Sequence, residues 1–257
     1  MNQGMLPRVT AIRLIGRGVW LELLRRQDLY VCGMVMLVFL LGVLVMRIVG
    51  IENPATGTFM LNMGMGLATI CAHVLLLLLA IRQFPSEIEN RTLYPLLARP
   101  VRRADLVLAK WLAVAGCGMV VYGILAGLAW VSVPKLETYH PVMLSQMLLL
   151  QLLSLGLLAA LGILFSLIMP RGMALLVGGG LYFTGAGLRR LAGQAGGWRR
   201  FFAGYVPDFG TLDLTTRYTD GIAPLGGGDL IALLGYAVVL LLVCVAVAMF
   251  VFERRRL

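Results

Sequence analysis

Long blocks of apolar residues alternate with short polar stretches along the chain. The blocks approach or exceed the roughly 20 helical residues that cross a hydrocarbon core of about 30 Å, and charged residues lie almost entirely at their ends. The pattern therefore predicts an all-α membrane protein with six transmembrane helices in one domain, residues 29–252. The predicted spans cover about 29–46, 60–81, 111–133, 142–169, 172–188 and 231–252, of which the fifth is short and rich in glycine.

The stretch before the first block is too charged to cross a membrane, but its residues divide between two helical faces. One face is apolar and the opposite face is polar; the two sets are Ile12, Ile15, Val19 and Leu23, and Thr10, Arg13 and Arg17. This division is typical of a helix that lies in the membrane interface. We therefore expect an amphipathic interfacial helix over about 7–26, within a cytoplasmic N-terminal region 1–28.

Composition supports a membrane protein and sets its orientation. Apolar residues make up 60% of the chain and charged residues 13%, whereas a soluble domain carries about a quarter charged residues. The net charge of +10 does not indicate nucleic acid, because the basic residues flank the apolar blocks. That placement favours contact with anionic lipid and a cytoplasmic location of both chain ends, including the basic tail 253–257.

With this orientation the segment 189–228 falls outside the cytoplasm. It mixes aromatic residues and arginines with Asp208, Asp213 and Asp220. We expect short helices that rest on the outer membrane interface. The alternatives are that the segment caps the exit of a transport pathway or binds an extracytoplasmic accessory protein.

Polar residues inside the blocks are few. His73, Gln146 and Gln151 are either partners in hydrogen bonds between helices or residues that line a transport pathway. The four cysteines have no pairing or metal-binding motif and are expected to be small core residues, so no metal site is predicted. A secondary carrier, a channel or an intramembrane enzyme remain alternatives, although neither His-Glu-x-x-His nor Gly-x-Ser-x-Gly occurs.

Small residues are spaced four apart on the second predicted span. Gly64, Ala68 and Ala72 form one stripe, which permits close contact between helices. The contact could lie within the subunit or between two copies of the chain.

The loop between the second and third predicted spans, 82–110, carries the most specific pattern. Ser86 with Glu89 three residues later forms a capping box, which predicts that a helix begins here. Glu87 and Glu89 suit the positive end of its dipole. Pro95 should end this helix after Tyr94, and a second short helix should lead from about Arg103 into the third span.

This loop resembles the signature of the type-2 permeases of ABC transporters. The run from 87 reads Glu-Ile-Glu-Asn-Arg-Thr-Leu-Tyr-Pro-Leu-Leu-Ala-Arg-Pro-Val-Arg-Arg and continues to Ala-Lys at 109–110. It is most similar to the permease components of multi-copper enzyme maturation systems. Arg91 stands where many relatives have glycine, and Ala109 replaces the glycine of a Gly-Lys pair. The resemblance continues over 205–214 and 252–257.

The resemblance implies that two permease subunits work with two separate cytoplasmic ATPase subunits in the cytoplasmic (inner) membrane of a bacterium or archaeon. The two permeases are expected to be a homodimer, or this chain paired with a similar permease. The resemblance also implies a coupling helix at about 87–94 that contacts the ATPase, and transport by export. The implied contact residues are Ser86, Glu87, Glu89, Asn90, Arg91, Thr92, Leu93 and Tyr94, followed by the loop motif Pro100, Arg102, Arg103 and Lys110.

ATP and magnesium are expected in the partner chain. A phosphate-binding loop needs a lysine followed by serine or threonine, and the two lysines, Lys110 and Lys135, precede tryptophan and leucine. The chain is therefore predicted to be a non-catalytic permease without a cofactor of its own.

Overall fold

A computed structural model describes residues 16–22, 24–25, 27–49, 54–89, 103–132, 141–194 and 207–254. For residues 54–55, 86–89, 103 and 184–194 it describes the backbone alone. The described part of the chain is mostly helical: besides the helical residues 16–22, it has eight numbered helices. In chain order they are α1 (Gln27–Ile48), α2 (Pro54–Glu89), α3 (Arg103–Ser132), α4 (Pro141–Ile168), α5 (Arg171–Gln194), α6 (Phe209–Leu212), α7 (Thr215–Thr219) and α8 (Gly227–Arg254).

Every apolar block of the sequence forms a helix in the structure. Among the described residues, five helices are long and apolar enough to cross a membrane: α1, α2, α3, α4 and α8. Helix α5, over the fifth predicted span, is not among them, because consecutive glycines and flanking arginines dilute its apolar residues. The structure thus confirms an all-α protein with multiple spans, whereas a sixth span stays a prediction.

The helix predicted to begin at Ser86 does not begin there. Helix α2 runs for 36 residues and includes Pro85, so residues 86–89 are its C-terminal end. A proline inside a helix removes one backbone donor and bends the helix, but it need not end it. The two residues that precede the proline, Gln83 and Phe84, are buried in the protein core. The helix continues for four residues beyond Pro85, so the capping box marks no helix start.

The second helix, α2, is the centre of the bundle and packs against α3, α4 and α1. Its small-residue stripe makes the predicted close contact. Ala68 and Ala72 have no exposed surface. A methyl group built at Gly64 would lie 2.6 Å from the ring of Phe39 and 2.9 Å from Cβ of Ala129. The stripe therefore lets α1 and α3 approach α2 within one subunit.

The outer surface of the bundle is apolar. Helix α1 exposes large side chains over most of its length, for example Met34, Val38 and Leu41, and α8 exposes Val239, Leu242 and others. In water, an apolar surface of this extent would be an aggregation site, whereas lipid solvates it at no cost. The exposed faces therefore support a multi-pass membrane protein.

The described part of the predicted N-terminal interfacial helix packs on the bundle. Residues 16–22 are helical. As predicted from the two faces, Val19 is buried and Arg17 is exposed. Residues 1–15 lie outside the described part of the chain, so the prediction of an interfacial helix stays a prediction.

The described part of the segment that follows α5 packs into the bundle. Its described part, 207–226, inserts α6 between α4 and α5 and places α7 against α2 and α4. Phe209 and Tyr218 are buried, and the phenol of Tyr218 accepts a 3.2 Å hydrogen bond from the indole Nε1 of Trp130. The apolar side chains of the two short helices thus have partners in the core, whereas residues 195–206 lie outside the described residues, so the interfacial placement of 189–228 stays a prediction.

Candidate functional site

The residues predicted to contact an ATPase lie where α2 ends and α3 begins. Ser86, Glu87 and Glu89 belong to the last turn of α2, and Arg103 is the first residue of α3. The remaining residues of that prediction lie outside the described residues: Asn90, Arg91, Thr92, Leu93, Tyr94, Pro100 and Arg102. The coupling helix therefore stays a prediction, and the structure contributes the geometry of the two helices that flank it.

Lys110 is buried between these two helices. Its side chain is 1% exposed, and its Nζ donates a 2.9 Å hydrogen bond to the backbone carbonyl of Gln83 near the end of α2. The same ammonium lies 4.2 Å from the ring centroid of Phe84. A buried ammonium is costly unless hydrogen bonds replace its water, and a carbonyl oxygen and an aromatic face both stabilise positive charge. Lys110 thus links α3 to α2 directly beside the loop.

Two further segments converge on this link. The ring of Phe84 packs against Phe252 of α8 with centroids 5.0 Å apart. The amide Nε2 of Gln83 donates a 3.2 Å hydrogen bond to Glu22 in the N-terminal helical segment. We call these five residues, Glu22, Gln83, Phe84, Lys110 and Phe252, the junction cluster. It fastens the ends of α2, α3, α8 and residues 16–22 to one another.

A second polar site lies at His73, near the middle of α2. The imidazole is 1% exposed and holds two hydrogen bonds, from Nδ1 to the carbonyl of Thr69 at 2.8 Å and from Nε2 to the hydroxyl of Ser154 at 2.9 Å. Since a carbonyl can only accept, Nδ1 carries the proton. In the neutral ring Nε2 then accepts the hydroxyl proton of Ser154. His73, one of the polar residues singled out in the sequence, therefore links α2 to α4 through its hydrogen bond with Ser154.

Aromatic rings surround the imidazole. The ring of Tyr182, from α5, stacks on His73 with centroids 4.7 Å apart, and the ring of Phe209, from α6, meets it edge-on at 6.5 Å. The rings of Tyr182 and Phe209 are themselves 5.5 Å apart. Three aromatic groups from three helices thus form one wall of a shared space.

That space is a cavity of about 230 Å³, which we call the polar pocket. Its described lining is Thr69, Ile70, His73, Gln151, Ser154, Tyr182, Phe183, Phe209, Gly210 and Asp213. Gln151, one of the predicted pathway residues, donates a long 3.5 Å hydrogen bond to the hydroxyl of Thr69. The structure therefore brings His73 and Gln151 together at one site.

Gln146 does not belong to the polar pocket. Its amide forms a pair of hydrogen bonds with the backbone of Leu225, one from Nε2 to the carbonyl at 3.2 Å and one from the Leu225 N–H to Oε1 at 3.0 Å. The side-chain amide of Gln146 thus pairs with a backbone C=O and N–H as a neighbouring β-strand would. The pair holds Leu225, just before α8, against α4. Gln146 therefore makes a hydrogen-bonded contact within the bundle, which is one of the two predicted alternatives, whereas its place in a pathway stays a prediction.

Replacement of Gln146 by leucine should loosen this attachment. It removes both hydrogen bonds, each worth about 1 kcal/mol, so the Leu225 amide should exchange with solvent deuterium about tenfold faster or more. Hydrogen exchange read by mass spectrometry on peptides that cover 220–230 measures the effect. The matched control is Ser145→Ala, because the exposed Ser145 hydroxyl bonds only to the Val142 carbonyl of its own helix. Equal exchange in both variants would contradict the assignment.

Several residues of these sites carry no signal in the sequence. Phe84, Phe252, Ser154 and Tyr182 resemble any other apolar or small polar residue of a membrane helix. Asp213 stood out only as one of the acidic residues of 189–228. These residues lie far apart along the chain and meet only after the helices pack, so no spacing rule could assign them.

The chain that forms the junction cluster and the polar pocket matches one family of known proteins. The family model for the ABC-2 family transporter protein matches residues 22–257, which includes every helix numbered here. No curated protein matches the chain closely. Membership in this family implies an ATP-binding subunit as partner. The chain therefore belongs to the ABC-2 transporter family and is a multi-pass membrane subunit of an ABC transporter.

Proposed function

We propose that this chain is the permease of an ATP-driven exporter in which two copies of the chain pair and two separate ATPase subunits bind from the cytoplasm. ATP and magnesium bind in those subunits, and this chain is not catalytic. In this arrangement α1, α2, α3, α4, α5 and α8 all cross the cytoplasmic membrane, and both chain ends are cytoplasmic.

The observation that carries the coupling mechanism is the buried contact of Lys110 with the Gln83 carbonyl. The loop 90–102 connects Glu89, six residues after Gln83, to Arg103, seven residues before Lys110. A force applied to that loop by an ATPase subunit would therefore reach α2 and α3 together. Because well-packed helices move as rigid bodies rather than deform, the two spans would shift as one unit.

The junction cluster would also spread the movement to other parts of the bundle. Phe252 lies at the end of α8, and Glu22 belongs to the segment before α1. A movement of α2 at Phe84 would push directly on α8. We propose that this contact is how movement of the coupling loop reaches the span farthest from it in sequence.

The polar pocket is the candidate for a substrate pathway. His73 and Gln151 lie beside it, and the short helix α6 closes it through Phe209. Polar groups in the middle of a membrane bundle are costly to bury and are commonly kept for transport. Segment 207–226 would then act as an outer cap of this pathway, next to any extracytoplasmic accessory protein.

Charge reversal at the end of α2 tests the coupling assignment. Glu87→Arg or Glu89→Arg should weaken co-purification of the ATPase subunit and lower ATP-driven transport about tenfold or more. The reason is that a reversed charge can face a like charge across the interface, which costs several kcal/mol of binding free energy. The permease itself should still insert. The assay needs the ATPase gene co-expressed with the tagged permease.

The control is Glu253→Arg, which reverses an exposed acidic residue near the end of α8 outside the loop. It should leave the yield of co-purified ATPase unchanged. If Glu87→Arg and Glu89→Arg retained the same ATPase yield and transport as the unchanged protein, the coupling assignment would be wrong.

A further inference from the structure

The charge of the polar pocket decides which ligands it suits. Asp213 contributes the one charged side chain among the described lining residues. One carboxylate oxygen, Oδ1, accepts a 2.9 Å hydrogen bond from the backbone N–H of Thr215. That bond fixes the carboxylate at the pocket and leaves the second oxygen available to a ligand. The Asp213 side chain is exposed, and its negative charge favours a cation as its neighbour.

The histidine does not offset this preference. Both ring nitrogens of His73 are used, since Nδ1 donates to the Thr69 carbonyl and Nε2 pairs with the Ser154 hydroxyl. An anion would need free N–H or ammonium donors, and His73 has none to spare in this arrangement. The negative charge of Asp213 and the lack of a spare N–H donor on His73 therefore both disfavour an anionic ligand.

The aromatic wall adds a second preference for positive charge. The ring centroids of His73, Tyr182 and Phe209 lie 4.7 to 6.5 Å apart, and all three residues line the pocket. The face of a tyrosine or phenylalanine ring attracts ammonium groups by about 0.5 to 2 kcal/mol. A weakly hydrated organic cation gains from both the rings and the carboxylate, whereas a small inorganic ion would lose its hydration shell.

The size of the pocket limits what enters it. Its volume of about 230 Å³ lies below the roughly 300 to 1,000 Å³ of sites that enclose drug-sized ligands. It therefore accommodates a small cation, or the charged head of a larger molecule whose remainder stays outside.

We propose that the polar pocket binds the positively charged head of an organic ammonium compound, with Asp213 as the counter-ion and the rings of Tyr182 and Phe209 as its walls. This inference rests on the proposed function, because it makes such a compound the transported substrate. It assigns the site to elements of one subunit, α2, α4, α5 and α6.

A binding measurement on the purified full-length permease tests this proposal without ATP or an ATPase subunit. The probe is radiolabelled benzyltrimethylammonium in equilibrium dialysis, with neopentylbenzene as its uncharged analogue of nearly the same shape. The unchanged protein should bind the cation saturably, and the uncharged analogue should not compete at equal concentration. Equal competition by the uncharged analogue, or no saturable binding of the cation, would overturn the proposal.

Two variants separate the carboxylate from the rings. Asp213→Asn keeps an oxygen for the Thr215 N–H but removes the charge, and it should weaken binding about tenfold or more. Asp220→Asn is the matched control, since the exposed Asp220 lies on the same segment but does not line this pocket. Unchanged affinity in Asp213→Asn would overturn the proposal.

Tyr182 provides the second test, which does not depend on the folding of the Asp213 variant. Tyr182→Phe keeps the ring and should bind within about twofold of the unchanged protein, whereas Tyr182→Leu should lose about threefold or more. Equal binding by the two variants would contradict the aromatic wall. If the cation fails to bind while Glu87→Arg still releases the ATPase subunit, the ligand assignment fails and the proposed permease function stands.

Discussion

Replacement of Lys110 by glutamate is expected to destabilise the permease by about 3 to 5 kcal/mol and to prevent its accumulation in the membrane. The ammonium of Lys110 donates to the Gln83 carbonyl and lies over the Phe84 ring. A carboxylate at this position would face a carbonyl oxygen and the negative face of an aromatic ring, with no room for water. The amount of folded protein after detergent extraction, measured by size-exclusion chromatography, reads the effect.

Two further variants show whether the charge or the volume of Lys110 matters. Lys110→Met keeps an apolar chain against Phe84 but loses the charged hydrogen bond to Gln83 and the contact of the ammonium with the ring, at a cost of about 1.5 to 3 kcal/mol. It should fold but lose transport that depends on the ATPase subunit. Arg82→Glu reverses an exposed charge on the neighbouring helix and should accumulate normally. If Lys110→Glu accumulated as well as Arg82→Glu, the buried link would not exist.

Replacement of Gly162 by leucine is expected to force α2 and α4 apart and to prevent correct packing. Even the first added carbon, Cβ, would lie 2.6 Å from Cβ of Ala80 and 3.5 Å from Cδ1 of Leu77. Cβ of Ala80 is fixed to its backbone, so only a shift of a whole helix could relieve the overlap. Gly162→Ala alone should cost about 1 to 3 kcal/mol, and leucine should cost more. Thermal unfolding in detergent, followed by circular dichroism, measures the loss.

A glycine of α3 provides the control for Gly162. No heavy atom lies within 4 Å of a Cβ built at Gly123. Gly123→Ala should therefore be neutral or raise the unfolding temperature, because alanine favours helix by up to about 1 kcal/mol over glycine. A similar fall in unfolding temperature for Gly162→Ala and Gly123→Ala would contradict the close approach of α2 to α4.

The positions of the helices could be predicted from the sequence because the constraint behind them is local. A segment that crosses lipid must be apolar over about 20 residues and must satisfy its own backbone hydrogen bonds. Both requirements are visible within one stretch of chain. The bounds were less certain, as α2 shows: it continues through Pro85 to Glu89, whereas the capping box at Ser86 predicted a new helix. Tertiary packing of Gln83 and Phe84 outweighed that local signal.

The candidate sites were predicted only in part. His73 and Gln151 were identified because polar side chains are rare inside apolar blocks, and the structure places both at the polar pocket. Gln146 had the same signal but pairs with the backbone of Leu225. A polar residue in the sequence of a membrane helix indicates that its side chain needs a hydrogen-bond partner, but the sequence does not identify that partner.

The sequence by itself determined that this is an α-helical membrane protein, because the length and apolarity of each block leave few other stable forms in lipid. The tertiary structure decided that Lys110 is buried against the end of α2 and that Asp213, Tyr182 and Phe209 meet at His73. Apart from Phe209 and Asp213, these groups are separated by tens of residues or more, and their contacts depend on how several helices pack at once. Close approach at glycines and alanines sets that packing, and its energy arises only when both partners are in place.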